Sequence, residues 1–185
     1  MMRAAIENRY QPHCKQKGCI QTCPAGDSHY EDPVNGYVSP IAGAYDEERH
    51  FTVHATIAQV VTLVAIDKCL ISAKNTTVKR CDCAFYTDEK VAFVEFKLRE
   101  PSREREQDTR PHRRLEKAVE QLATSIASFE QSGFITVETV EAYAHVGYQF
   151  PAIAAPAAML TNLAAVLNAN TQNAVRLFAT SEVCF

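Results

Sequence analysis

Two runs of alternating residues place the strongest constraint on how this chain folds. Val78-Lys-Arg-Cys-Asp-Cys-Ala-Phe-Tyr86 is followed by Thr87-Asp-Glu-Lys90 and then by Val91-Ala-Phe-Val-Glu-Phe-Lys-Leu98. A two-residue turn centred on Asp88 and Glu89 is the simplest closure, and it predicts an antiparallel hairpin with Asp82 opposite Glu95. Cross-strand neighbours of that kind hold their β-carbons about 5 Å apart. Period-two alternation predicts one apolar face of Cys81, Cys83, Phe85, Ala92, Val94, Phe96 and Leu98. Arg80, Asp82, Glu95 and Lys97 fall on the other face. Two adjacent carboxylates repel unless a cation lies between them, and a divalent ion with oxygen ligands meets that need.

A helix is predicted next. From Pro111 to about Phe129, Leu115, Ala118, Val119, Leu122, Ile126 and Phe129 recur at spacings of three and four, one stripe on a helix. Pro111 suits the first turn, where a missing N–H costs nothing, and Gly133 follows the end. Lys117 and Gln121 lie beside the stripe, with Ser125 a turn further on. The helix is expected to pack on the apolar face of the hairpin.

An Asp on one strand and Glu-x-Lys on the next, here Asp82 and Glu95-Phe96-Lys97, resembles the core motif of the PD-(D/E)XK nuclease superfamily. The resemblance covers about residues 78 to 130, and Cys81 stands where the family name has proline. It implies a single compact α/β domain with a restriction-endonuclease-like mixed central sheet flanked by helices. It implies Mg²⁺ (or Mn²⁺) held by Asp82, Glu95 and the backbone carbonyl of Phe96, with Lys97 and Gln121 completing the catalytic set. The implied activity is phosphodiester hydrolysis, in DNA rather than RNA, with bacterial or phage defence as an analogy. The alternative is a catalytically inactive nuclease-like subunit that binds within a larger complex. Several members carry a further acid upstream, for which Glu47 and Glu48 are the candidates.

The stretch from Arg99 to Arg114 mixes both charge signs and holds two prolines, so it reads as a loop. Arginines 99, 103, 105, 110, 113 and 114 are placed to follow a phosphate backbone, while Glu100, Glu104, Glu106 and Asp108 oppose a purely basic stripe. A net charge of -3 and a pI near 6.1 supply no general attraction for nucleic acid, so any such binding needs a local patch.

With 185 residues the chain suits one domain with a useful core. We divide it into an irregular Cys/His-containing segment at 1–50 and a nuclease-like core at 51–185. Cys14, Cys19, Cys23 and His29 form a possible structural Zn²⁺ set, although their spacing is irregular and lacks a Cys-x-x-Cys knuckle. The N-terminus shows no secretory apolar core, and seven cysteines without one point to free or metal-bound thiols in a reducing cytoplasm. Residues 51–71 are apolar but broken by His54, Gln59, Asp67 and Lys68, so a buried core is expected and no membrane span. Val60–Ile71, Ile135–Tyr148 and Ala174–Phe185 read as strands, and 156–169 as an Ala-rich helix suited to core packing or a homodimer contact.

Overall fold

The computed structural model describes residues 2–10, 13–71, 79–97, 111–146 and 157–185. Helices are α1 (Met2–Arg9), α2 (His13–Lys17), α3 (Pro111–Gln131) and α4 (Ala157–Ala169). Strands β1 (Ile20–Thr22), β5 (Thr62–Ala65), β6 (Cys83–Tyr86), β7 (Lys90–Phe96), β8 (Thr139–His145) and β9 (Val175–Phe178) form one mixed sheet in that order. A second sheet runs β10 (Glu182–Cys184), β4 (Phe51–Ala55), β2 (Gly26–Glu31) and β3 (Ser39–Pro40).

The hairpin forms in the register read from the sequence. Cys83 pairs with Val94 and Tyr86 with Val91. Thr87 closes the turn: its N–H donates to the Lys90 carbonyl, and its Oγ1 accepts from the Glu89 and Lys90 amides. α3 carries the strand order onward, because β8 runs parallel to β7 and such a pair needs a crossover. α4 does the same between β8 and β9.

The predicted stripe of α3 is buried throughout, from Leu115 to Phe129. Its end is a Schellman cap. Gly133 has φ of 68° and donates to the Glu130 carbonyl, Phe134 donates to the Phe129 carbonyl, and the Phe129 and Phe134 rings lie 5.4 Å apart.

Two expectations about the hairpin faces are corrected. α3 packs on Ala84, Tyr86, Val91 and Phe93, with the Phe93 and Phe129 rings 5.3 Å apart. The face of Cys83, Phe85, Ala92, Val94 and Phe96 is covered instead by the second sheet, through Tyr30, Phe51, Val53 and Val183. Cys81 leaves that face, joins the helix-side core, and donates its N–H to Ser125 Oγ at 2.7 Å. The central strands are buried on both sides, so helices flank one face of the main sheet and strands the other.

The expected irregular segment 1–50 also differs. It supplies α1, α2, β1, β2 and β3, and β1 and β2 pair with β5 and β4 beyond residue 50. Val60–Ile71 yields only the short β5 before a turn, and Ala174–Phe185 divides into β9 in one sheet and β10 in the other. No helix among the described residues is long and apolar enough to cross a membrane.

Thiol usage departs from the reading of free or metal-bound cysteines, since Cys19 and Cys69 form a disulfide across 50 residues of chain. A loop of that length is worth about 4 kcal/mol in chain entropy. Cys19→Ala with Cys69→Ala is therefore expected to lower the urea midpoint by that equivalent. A shift under about 1 kcal/mol would show that the cross-link adds little.

Candidate functional site

Polar chemistry collects where β6 begins and β7 ends. Asp82 sits one residue beyond the Cys83–Val94 pair and so faces Glu95, as the register requires. Its Oδ2 accepts the Phe96 N–H at 2.7 Å, and its carbonyl accepts the amides of Ile66 and Asp67 at 2.8 and 3.2 Å. Glu95 is fully buried. One of its oxygens is ion-paired with Lys97; the other, Oε2, meets no N–H donor, and the Glu95 and Asp82 carboxyl groups lie within hydrogen-bond reach of each other.

The electrostatics follow from this burial. Loss of solvent, and then the charge of Asp32, push the Asp82 carboxyl up to about 7, against the Phe96 N–H and Lys97. Burial and then the Asp82 charge raise Glu95 well above the usual carboxylate range, while Lys97 opposes that rise. Two carboxyl groups this close and this dry are satisfied either by sharing a proton or by taking a cation between them. The oxygen donors, including the Phe96 carbonyl between Glu95 and Lys97, match the preference of Mg²⁺ or Mn²⁺. Among the described residues, no cluster of three or more His, Cys, Asp or Glu side chains is arranged to hold a metal, so the set rests on two carboxylates and a backbone oxygen.

Gln121 reaches the same end of the hairpin. Its Nε2 donates to the Arg80 carbonyl at 2.7 Å, two residues before Asp82. Of the arginine series, 99, 103, 105 and 110 lie outside the described residues; Arg113 and Arg114 stand in the first turns of α3.

The upstream candidates Glu47 and Glu48 are exposed in a turn. The carboxylate acting on Asp82 is Asp32, just past β2, itself raised by burial and paired with Lys68 at 3.3 Å. Asp67 binds Arg80 at 2.6 Å. Sequence reading missed Asp32, Asp67 and Lys68. The one available signal was the pair Asp67-Lys68 interrupting an apolar run. A cavity of about 230 Å³ is lined by Glu31, Asp46, Arg49 and His50 among others, and none of Asp32, Asp82 and Glu95 lines it.

The four possible zinc ligands do not converge. Cys19 is in the disulfide, Cys14 packs in the helix-side core and Cys23 between the sheets. His29 bonds Thr52 through Nδ1 at 3.0 Å and stacks near Tyr45. The main sheet separates the two free thiols, and burial raises the pKa of both. No family model, curated protein or solved structure matches this chain.

Proposed function

We propose that the chain is a metal-dependent phosphodiesterase of the restriction-endonuclease-like kind, acting on nucleic acid and, by its resemblance, on DNA. The observation that carries this reading is the buried Glu95, facing Asp82 across the end of the hairpin and paired with Lys97. Asp82, Glu95 and the Phe96 carbonyl would hold Mg²⁺ or Mn²⁺. Such an ion polarises a phosphoryl oxygen and lowers the pKa of bound water.

The remaining roles belong to the chain. Lys97 lies two residues from Glu95 with its ammonium drawn into the site, so it stabilises charge that builds on the phosphate. Gln121 spends its donor on Arg80, so its contribution is to fix the backbone that enters Asp82. Arg113 and Arg114, at the start of α3, provide cationic contacts for a polyanion. A role in bacterial or phage defence remains an analogy from small solitary nucleases.

Plasmid and single-stranded substrates, incubated with Mg²⁺ or Mn²⁺, test the reading. Wild type is expected to cleave, and Lys97→Ala to lose about 10²–10³-fold, the scale of one charge-stabilising group. Equal rates would remove Lys97 from the mechanism.

A second reading, a nuclease-like binding subunit without activity, is favoured by the donor set of only two carboxylates and by the acidic pI. It predicts assembly with partner proteins, no cleavage and no calorimetric response to either ion.

A further inference from the structure

We propose that the disulfide-closed turn at residues 66–71 is the positioning element that holds Asp82 in the site. The inference rests on the metal-dependent reading above for its functional meaning. Its structural content stands on three independent groups of contacts.

The turn first holds the backbone of Asp82. The amides of Ile66 and Asp67 both donate to the Asp82 carbonyl, where a regular ladder between β5 and β6 has already ended at Ala65 and Cys83. Asp82 therefore sits beyond the sheet, on the turn.

The turn also places charged side chains around that residue. Asp67 binds Arg80, two residues before Asp82, and Lys68 binds Asp32, the acid whose charge acts on Asp82. Neither contact belongs to a repeating structure.

Finally, the turn is itself held from outside. Lys68 adopts φ of 62°, a left-handed conformation that a non-glycine residue keeps only when its surroundings enforce it. The enforcing contacts are visible. Cys69 is bonded to Cys19, Lys17 Nζ donates to the Lys68 carbonyl, and Leu70 and Ile71 donate back to Ala65 and Ile66. Cys19 in turn accepts the Ala65 amide through its carbonyl and immediately precedes β1, the strand that pairs with β5. Cys19 and Cys69 are both fully buried, so the cross-link serves as a permanent staple.

The Phe96 amide reports the position of Asp82 directly, because it donates to Oδ2 of that side chain. Its hydrogen exchange, followed residue by residue by NMR without metal, needs no catalytic activity. In Cys19→Ala with Cys69→Ala, Phe93 in the middle of β7 is expected to accelerate by the lost global stability, and the Phe96 amide at least about tenfold through a local opening with a smaller urea dependence than that of Phe93. Acceleration at Cys69–Ile71 with Phe96 unchanged overturns the proposal.

Native-state exchange of the wild-type protein in low urea covers the case in which that variant fails to fold. Phe96 is expected to open together with the amides of Ile66 and Asp67, with one urea dependence. Phe96 remaining protected after those amides open also overturns it. Calorimetry with Mn²⁺ separates the two readings. A wild type that ignores Mn²⁺ but shows coupled exchange loses the metal function and keeps the positioning element.

Discussion

Glu95→Gln is expected to unfold less readily than wild type at pH 8 and to cleave substrate on the order of 10³-fold more slowly. The two effects have one cause. Glu95 is fully buried beside another acid, and burial and the Asp82 charge both disfavour its ionised form. A neutral amide of the same shape removes the repulsion and the cost of an unsatisfied buried charge. That relief is on the order of 1–3 kcal/mol, less whatever Lys97 contributes as a partner. The substitution also deletes a charged ligand. Losing an ion that supplies several kcal/mol of charge stabilisation, at about 1.4 kcal/mol per tenfold, lowers the rate on the order of 10³-fold. Chemical denaturation and a cleavage assay on the same preparation check both halves. A variant that is destabilised would mean that Glu95 serves the fold through Lys97, with no strain held for a ligand.

In metal-free buffer, Asp82 is expected to weaken the fold as the pH rises from about 4 to about 7. Its carboxyl has an ordinary value of 3.8 and lies at about 7 in the folded chain. Between those values the native protein keeps a proton that the unfolded chain has released, so raising the pH favours unfolding. Stability is therefore fully present below the unfolded value and has been lost once the pH passes the folded one. The gap from 3.8 to about 7 is worth up to about 4 kcal/mol at about 1.36 kcal/mol per pH unit. Glu95, raised by the same burial, acts in the same direction. Urea titrations of wild type and Asp82→Asn at pH 4.5 and 7.5 isolate the effect: the asparagine variant gains relative stability at the higher pH. On the proposed metal-dependent reading, millimolar Mg²⁺ closes that difference by binding the folded, deprotonated pair. Parallel pH curves with and without Asp82 would show an acid that ionises normally.

The hairpin ends the ladder at Cys83–Val94, and the next pair out is Asp82 and Glu95. Apolar strands on either side leave that pair little water, and Lys97 offsets its charge, while Arg80 and Lys68 are bound to Asp67 and Asp32. The expected polar face of the hairpin is thus a polar end. Alternation along β6 and β7 placed Asp82 opposite Glu95, but it could not reveal that Ala84, Tyr86, Val91 and Phe93 on the same side lie under α3. A strand buried on both faces reads as apolar in every position, so period two loses its meaning in the middle and holds at the tip.

Local patterns were legible wherever the partner lay close in sequence. The Asp88-Glu89 turn, the α3 stripe, the Gly133 cap and α4 each depend on residues within a few positions of one another, where propensity and periodicity act directly. The second sheet was not legible, because β2, β4 and β10 are short and bring together segments from both ends of the chain. The disulfide, the separation of Cys14 from Cys23, and the approach of Asp32 to Asp82 share that origin. Such pairings are chosen by which apolar faces remain to be covered once the hairpin and helix exist. That choice is made by the whole packed core, and no short window of residues contains it.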